Sequence, residues 1–98
     1  MSSQLRSGLQ PHYLQEIPVG RIVIGTLNIN SLASKFDQLE IIIRGSLDIL
    51  IIQETKLDSS FPDDQFVING YKKPYRLDRN RHGWGHDGIY ITKGRHPQ

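Results

Sequence analysis

Residues 47–57 read LDILIIQETKL, an apolar run that passes into Gln53 and Glu54 with no turn residue between. The run from Leu47 to Ile52 has the length and branched aliphatic composition of a buried strand. The carboxylate of Glu54 therefore lies at the point where a buried strand ends. Two interpretations are open: Glu54 is the first solvated residue after the strand, or it belongs to a site that the strand positions.

The segment upstream predicts another strand of the buried kind. Residues 21–28, RIVIGTLN, are compact and rich in β-branched side chains, and Gly25 would allow a neighbour to approach closely. The strand ends in Asn28-Ile29-Asn30. An amide there can bond a phosphate oxygen or orient a carboxylate, but Asn also ends strands for purely local reasons.

Between the two strands, the sequence predicts an amphipathic helix of about three turns. Ser34 and Asp37 have the spacing of a capping box. Apolar side chains recur at helical spacing, and Gly45 follows Arg44 as a stop signal. The periodic apolar residues are Phe36, Leu39 and Ile43.

A strand, helix and strand of these lengths predict a right-handed βαβ unit with parallel strands. In open α/β sheets, sites form outside the carboxyl ends of the strands. Asn28, Asn30 and Glu54 would then converge on one edge of the sheet. Carboxylate and amide oxygens are suited to a hard cation such as Mg²⁺.

The rest of the chain is patterned more weakly. Residues 1–20 are expected to form a loose tail, residues 21–93 the domain, and residues 94–98 a second tail. Residues 66–68 are expected to form a short strand. Two further strands, at 71–77 and 88–92, are expected to pair as a hairpin, although Pro74 weakens the first.

Charge is distributed unevenly along the chain, which has a formal net charge of +2. Residues 1–71 carry five Lys/Arg and eight Asp/Glu, whereas residues 72–98 carry seven and two. Basic residues interleaved with aromatics can follow a phosphate backbone, but a solvated charged loop has the same composition. The candidate nucleic-acid contacts are Lys72, Lys73, Arg76, Arg79 and Arg81.

Composition also limits the class of protein. Without cysteine there is neither a disulfide framework nor a thiolate metal site, and the four histidines do not have the spacing of a zinc site. The apolar runs are too short to cross a bilayer, and the region after Met1 lacks the apolar stretch of a signal peptide. We expect a protein without membrane contact, in the cytoplasm or nucleus.

Three stretches together carry a family resemblance: NINSLASKFDQL at 28–39, ILIIQETKLDSSFPDDQF at 49–66 and PYRLDRNRHG at 74–83. They resemble the N-terminal part of the endonuclease/exonuclease/phosphatase superfamily, which includes DNase I and the apurinic/apyrimidinic endonucleases. More narrowly, they are similar to the endonuclease domain that precedes the reverse transcriptase in LINE-type non-LTR retrotransposons of animals. The resemblance covers residues 21–83.

The resemblance implies a divalent-metal-dependent phosphodiesterase acting on DNA, with Mg²⁺ or Mn²⁺ as cofactor. It implies that Glu54 is the metal ligand and that Asn28 contacts the phosphate and acidic groups of the site. Asn30 matches a position that is Asp in some relatives. For Asn30 the resemblance therefore implies a secondary contact with phosphate or metal. The implied fold is the first half of a DNase I-like α/β sandwich, a βαβ unit followed by short strands.

Two departures from the family pattern weaken the catalytic expectation. The residues that follow RNRHG read WGHDGIYITKGRHPQ, where the family has a Gly-rich strand entry. The family's later Tyr, Asp-x-Asn and Ser-Asp-His motifs would lie in a missing C-terminal half. We therefore expect a fragment that is inactive alone. The alternatives are a noncatalytic nucleic-acid-binding module that uses residues 72–95, and a nonfunctional pseudogene product.

Overall fold

The computed structural model describes residues 8–43, 47–78 and 87–94. It is a mixed α/β structure with a five-stranded sheet, whose strand order is β1-β2-β3-β5-β4, and one α-helix. A 3₁₀ turn at Pro11–Tyr13 precedes the first strand. The elements in chain order are β1 (Gln15–Val19), β2 (Ile22–Asn28), α1 (Leu32–Ile42), β3 (Ile49–Gln53), β4 (Tyr75–Leu77) and β5 (Ile89–Lys93).

The predicted strand, helix and strand are confirmed as β2, α1 and β3, and the two strands are parallel neighbours. Their register runs from Ile24 opposite Ile49 to Asn28 opposite Gln53. The carboxyl ends of both strands therefore meet at one end of the sheet, because parallel strands point the same way.

The predicted capping box is wrong, because α1 begins two residues before Ser34, at Leu32. The backbone N–H groups of Ser31 and Leu32 donate to the carbonyls of Glu54 and Thr55, each at 2.9 Å. Backbone from the loop after β3 thus satisfies groups that a capping side chain would otherwise serve. The helix ends at Ile42, and the predicted stop at Arg44 and Gly45 lies outside the described residues.

The prediction of a loose tail up to residue 20 is wrong for Gln15–Val19, which form β1 antiparallel to β2. All five residues of β1 are exposed, so no buried periodic face marked the strand. Pro18 lacks the N–H that a central strand needs, but proline is tolerated on an edge strand, and β1 ends the sheet.

The predicted hairpin is confirmed in outline, because β4 and β5 are antiparallel, with Tyr75 opposite Ile91. The predicted strand at residues 66–68 is wrong. Phe66 and Ile68 are buried in the core without forming a strand, and the Phe66 carbonyl accepts a 2.6 Å hydrogen bond from the Tyr90 hydroxyl. Core packing, not strand pairing, explains the apolar character of this segment.

The core lies between α1 and one face of the sheet. Helix residues Leu32 and Leu39 are fully buried, as are Leu50 and Ile52 of β3. Gly25 allows Leu47 to pack closely against β2, because a β-carbon at Gly25 would come within 2.5 Å of Leu47 Cδ1. This confirms the predicted close approach at Gly25.

No helix in the described part of the chain is both long enough and apolar enough to span a membrane.

Candidate functional site

The ends of β2 and β3 bring two polar side chains into contact. Asn28 donates a hydrogen bond from Nδ2 to Glu54 Oε2 at 2.7 Å. The parallel register explains the contact, since Asn28 pairs with Gln53 and Glu54 is the next residue along the chain. The predicted meeting of Asn28 and Glu54 is confirmed, while their chemical roles stay predictions.

Backbone hydrogen bonds hold the segment after β2 against the segment after β3. Ile29 N donates to Gln53 O at 3.0 Å, and the amides of Ser31 and Leu32 continue the ladder to Glu54 and Thr55. The parallel pairing therefore extends past both strands into the helix start. A side chain on backbone that is hydrogen-bonded in this way is positioned more precisely than one on a free loop.

This edge of the sheet also concentrates backbone strain. Among the described residues, the non-glycine residues with positive φ all lie in the two segments that leave β2 and β3. A non-glycine residue in this region costs about 1–2 kcal/mol, and such conformations cluster at active sites and ligand clamps. The residues are Asn30 (φ 49°), Ser31 (φ 91°), Glu54 (φ 55°) and Lys56 (φ 57°).

The start of β5 clamps the other side of the loop that carries Glu54. Thr55 N donates to Gly88 O at 3.3 Å, and Lys56 N donates to Asp87 O at 2.7 Å. Gly88 has φ 108°, and a β-carbon there would come within 2.2 Å of Thr55 Oγ1. Glycine is therefore required sterically where β5 passes behind the loop.

Two lysines converge on Asn30. Lys56 donates from Nζ to Asn30 Oδ1, and Lys35 donates from Nζ to the Asn30 carbonyl at 2.6 Å. The amide oxygen of Asn30 thus already faces an ammonium group. A metal ion at that oxygen would meet a like charge, so this geometry favours a phosphate contact over a metal contact for Asn30.

A pocket of about 320 Å³ opens beside these residues. Asn28, Asn30 and Lys35 supply its polar groups, and Tyr13 from the 3₁₀ turn forms part of its wall. We call Asn28, Asn30, Lys35, Glu54 and Lys56 the strand-exit cluster. It combines one carboxylate, two amides and two ammonium groups, a set able to bind a phosphate and a cation together.

Glu54 supplies the only carboxylate of the strand-exit cluster. Within residues 8–43, 47–78 and 87–94, no three His, Asp or Glu side chains come together in a way that could hold a metal ion. Magnesium is commonly bound through one or two carboxylates, with water and substrate phosphate completing its shell. Glu54 fits that minimal arrangement, with Asn28 fixing the carboxylate through Oε2.

The candidate basic contacts separate into distinct groups. Arg76 is not presented to a partner, because its side chain is only 8% exposed and bonds Asp78 at 2.8 Å. Its guanidinium also donates to the carbonyls of Asp58, Phe61 and Pro62. Arg76 therefore organises the 58–62 loop, and this enclosure argues against a role for it on a nucleic-acid surface. Arg79 and Arg81 lie outside the described residues.

Lys72 and Lys73 are exposed and line a groove of about 480 Å³. Lys93 and Tyr75 line the same groove. It lies toward the opposite end of the sheet from the strand-exit cluster, since Lys93 pairs with Ile49, the first residue of β3. The basic groove and the strand-exit cluster are therefore two separate places.

Sequence reasoning missed both lysines of the strand-exit cluster. Lys56 had a usable signal, because it lies two residues after Glu54 in the quoted QETK motif. Lys35 had none, since it reaches Asn30 only because α1 begins at Leu32. The role of Gly88 could not be predicted from the sequence either, because it depends on a contact with Thr55 across the sheet.

Comparisons with known proteins add no further constraint: no protein-family model, no curated protein and no solved structure matches this chain.

Proposed function

We propose that this chain is the N-terminal part of a metal-dependent phosphodiesterase domain that acts on DNA, of the DNase I-like kind that accompanies reverse transcriptase in LINE-type retrotransposons. The observation that carries the proposal is the hydrogen bond from Asn28 to Glu54 at the shared exit of two parallel strands. The resemblance of residues 21–83 picks out the same two residues as site residues.

In this proposal each residue of the strand-exit cluster has a defined task. Glu54 is the ligand for Mg²⁺ or Mn²⁺, which when bound would stabilise negative charge on phosphate oxygens. Asn28 fixes the orientation of the carboxylate. The ammonium groups of Lys35 and Lys56 lie beside Asn30 and attract the phosphate backbone.

Strain supports a functional assignment over the solvated-residue alternative. A glutamate that merely follows a strand ordinarily keeps an extended conformation, whereas Glu54 has φ 55°. Here Glu54 and Lys56 both keep positive φ, and hydrogen bonds on both sides maintain the loop. Such over-determined strain is typical of sites where a side chain must point in one direction.

The chain alone is proposed to be inactive. Phosphodiester hydrolysis needs a group that activates water and a stabilised leaving oxygen, in addition to a metal ligand. The strand-exit cluster offers one carboxylate and no histidine among the described residues. The remaining groups would come from the C-terminal half of the domain, as a further partner of this chain.

Metal binding and cleavage test the proposal separately. Calorimetric titration with Mn²⁺ should show one site in the wild type, lost in Glu54→Gln and retained in the control Glu16→Gln, which changes an exposed carboxylate on β1. Equal binding by both variants would contradict the role of Glu54. With supercoiled plasmid and Mg²⁺, the chain alone should give no nicking. Nicking that Glu54→Ala abolishes would instead mean that the chain is a complete catalyst.

A second candidate function, nucleic-acid binding without catalysis, is favoured by the basic groove. Its lining contains Lys72, Lys73 and Lys93 with no acidic residue, and Tyr75 is 82% exposed. Exposed aromatics beside lysines suit stacked bases and their phosphates. Anisotropy with a labelled oligonucleotide should then show affinity that falls as salt rises, and Lys73→Gln should weaken it. Binding unaffected by Lys73→Gln would exclude the groove as the nucleic-acid-binding site.

A further inference from the structure

The segment that precedes β1 is attached to both the helix and the sheet. The Leu9 amide donates to Gln38 Oε1 on α1, and Leu9 and Leu14 pack against the core. Leu14 also reaches β2, where its Cδ1 lies 3.3 Å from the position of a β-carbon at Gly25. The Tyr13 amide closes the 3₁₀ turn through a 3.0 Å hydrogen bond. Tyr13 therefore projects from backbone that is held on both sides.

Tyr13 is nevertheless 45% exposed, unlike the two partly buried leucines of the same segment. The His12 ring contacts it in a T-shaped arrangement, with ring centroids 4.6 Å apart. One exposed aromatic side chain is not a site by itself, because single exposed apolar residues are normal on protein surfaces. Tyr13, however, also lines the pocket of about 320 Å³ beside the strand-exit cluster. A ring in a fixed position at the wall of a pocket can stack on a planar ligand.

The two walls of this pocket differ in chemistry. One is apolar and includes Tyr13, whereas the other carries two amides and one ammonium group. That ammonium group, on Lys35, is the only charge among the described residues that line the pocket, and it donates to the Asn30 carbonyl at 2.6 Å. The polar wall therefore suits an anion, and the apolar wall suits a flat ring. The residues of the two walls are Leu9, Tyr13 and Ile29, and Asn28, Asn30 and Lys35.

We propose that this pocket is a binding subsite for one nucleotide, with its phosphate at Lys35 and its base stacked on Tyr13. A nucleotide combines the two features that the walls require, an anionic group and a planar ring. Stacking tolerates every base because each has a π-face, so the subsite accepts nucleotides without reading their sequence. The pocket is at the small end of the range for small-molecule sites, about 300–1,000 Å³, which favours a single nucleotide over a longer segment.

The position of the subsite adds a substrate class to the proposed phosphodiesterase function, on which its phosphate end rests. Asn28 lines the pocket and also donates to Glu54 Oε2 at 2.7 Å, so the bound nucleotide would adjoin the candidate metal ligand. A base inside a duplex is already stacked on both sides and offers no free face to Tyr13. The strand bound here is therefore single-stranded at this nucleotide.

Nuclear magnetic resonance titrations of the full chain without metal test the subsite. The probes are thymidine 5′-monophosphate and deoxyribose 5-phosphate, which share the sugar and the phosphate and differ by the base. The wild type should bind thymidine monophosphate about tenfold more tightly, the effect expected of one stacked base. Tyr13→Ala should remove that preference, and Tyr13→Phe should keep it because the ring remains.

Two further variants separate the phosphate end from the base end and from the basic groove. Lys35→Gln should weaken both probes by about the same factor, because it removes the phosphate contact and leaves the Tyr13 ring in place. The control is Tyr75→Ala, which removes an aromatic ring that is 82% exposed at the basic groove and should change neither affinity. Amide chemical shifts of each variant verify that the fold survives, which is expected because both tyrosines are exposed.

Five results would overturn the subsite: equal affinity of the wild type for both probes, binding of neither, a preference that survives Tyr13→Ala, one that Tyr75→Ala removes, or affinities unchanged in Lys35→Gln. The Mn²⁺ titration of Glu54→Gln reports on the proposed function separately. A chain that binds Mn²⁺ through Glu54 without preferring thymidine monophosphate keeps the phosphodiesterase proposal and loses this inference. Base preference without metal binding keeps the nucleotide subsite and removes the phosphodiesterase proposal.

Discussion

Gly88 lies so close to Thr55 that a β-carbon at Gly88 would come within 2.2 Å of the Thr55 hydroxyl oxygen. The contact joins the start of β5 to the loop that carries Glu54. Two backbone hydrogen bonds reinforce it, because Thr55 N donates to the Gly88 carbonyl and Lys56 N donates to the Asp87 carbonyl. The position of the candidate metal ligand therefore depends on a glycine that is distant in sequence.

Gly88→Ala should destabilise the fold by about 3 kcal/mol, because it adds a steric overlap to an unfavourable φ of 108°. The control is Gly20→Ala, which also has positive φ but meets no atom within 4 Å. That change should lower the free energy of unfolding by only about 1 kcal/mol, because only the unfavourable φ contributes. Urea unfolding of both variants measures the difference, and equal losses would refute the close approach at Gly88.

Glu54→Gly should unfold with a higher free energy than Glu54→Ala, while both variants lose metal binding and the hydrogen bond from Asn28. Glycine adopts φ 55° without the cost that a β-carbon imposes, so a gain of about 1 kcal/mol is expected. Glu54→Ala removes the same carboxylate and keeps the strain, and so serves as the matched control. If Glu54→Gly is no more stable than Glu54→Ala in thermal unfolding, the strain argument for a functional site fails.

The parallel pair β2 and β3 could be predicted because two short apolar runs flank a segment with helix signals. Burial on both faces, which such runs usually indicate, is not observed, since alternate residues of both strands are exposed or half-buried. The meeting of Asn28 and Glu54 followed from that topology alone, since the ends of parallel strands coincide. Strand β1 could not be predicted. Its stability comes from pairing with β2 and not from a buried face of its own.

Arg76 and Lys73 of the basic segment show a similar limit to prediction from sequence. Composition treats Arg76 and Lys73 alike, yet one is enclosed by the 58–62 loop and the other is exposed. What separates them is a set of backbone carbonyls that only the folded loop aligns. Charge patterning predicts where cations occur, while tertiary contacts decide which of them stay available.

Arg76→Gln should therefore act on stability more than on DNA affinity. It leaves Asp78 and the carbonyls of the 58–62 loop without their donors, which should cost about 3 kcal/mol. Lys73→Gln should leave stability unchanged and lower the salt-dependent affinity for an oligonucleotide. Urea unfolding and fluorescence anisotropy on both variants separate the two roles. A stable Arg76→Gln variant with weakened DNA binding would reverse the assignment.

Two buried tyrosines differ in how their hydroxyl groups are satisfied. Tyr90 donates to Phe66 O at 2.6 Å, whereas the Tyr71 hydroxyl lies beside the backbone of Leu47 without a partner at hydrogen-bond geometry among the described residues. Tyr90→Phe should cost about 1–3 kcal/mol because it leaves a buried carbonyl unpaired, while Tyr71→Phe should be neutral or stabilising. Denaturant unfolding at neutral pH compares them, and a larger loss for Tyr71→Phe would contradict the contact pattern.

The same tyrosines should make the fold sensitive to alkali. Burial raises the pKa of Tyr90 above the ordinary 10.0, with a further contribution from the charge of Glu40, and burial also raises the pKa of Tyr71. Between the unfolded and folded pKa values the folded state holds more protons, so stability is fully present below pH 10 and falls as pH rises above it.

For Tyr90 the decline above pH 10 should approach about 1.4 kcal/mol per pH unit, because the phenolate must leave the core to ionise. Urea unfolding at pH 9, 10 and 11 measures the slope. In Tyr90→Phe the starting stability is lower, but the decline with pH should be shallower by that amount. If the wild type and Tyr90→Phe lose stability with the same slope, Tyr90 is not the group that titrates, and its burial against Phe66 is looser than the hydrogen bond between them indicates.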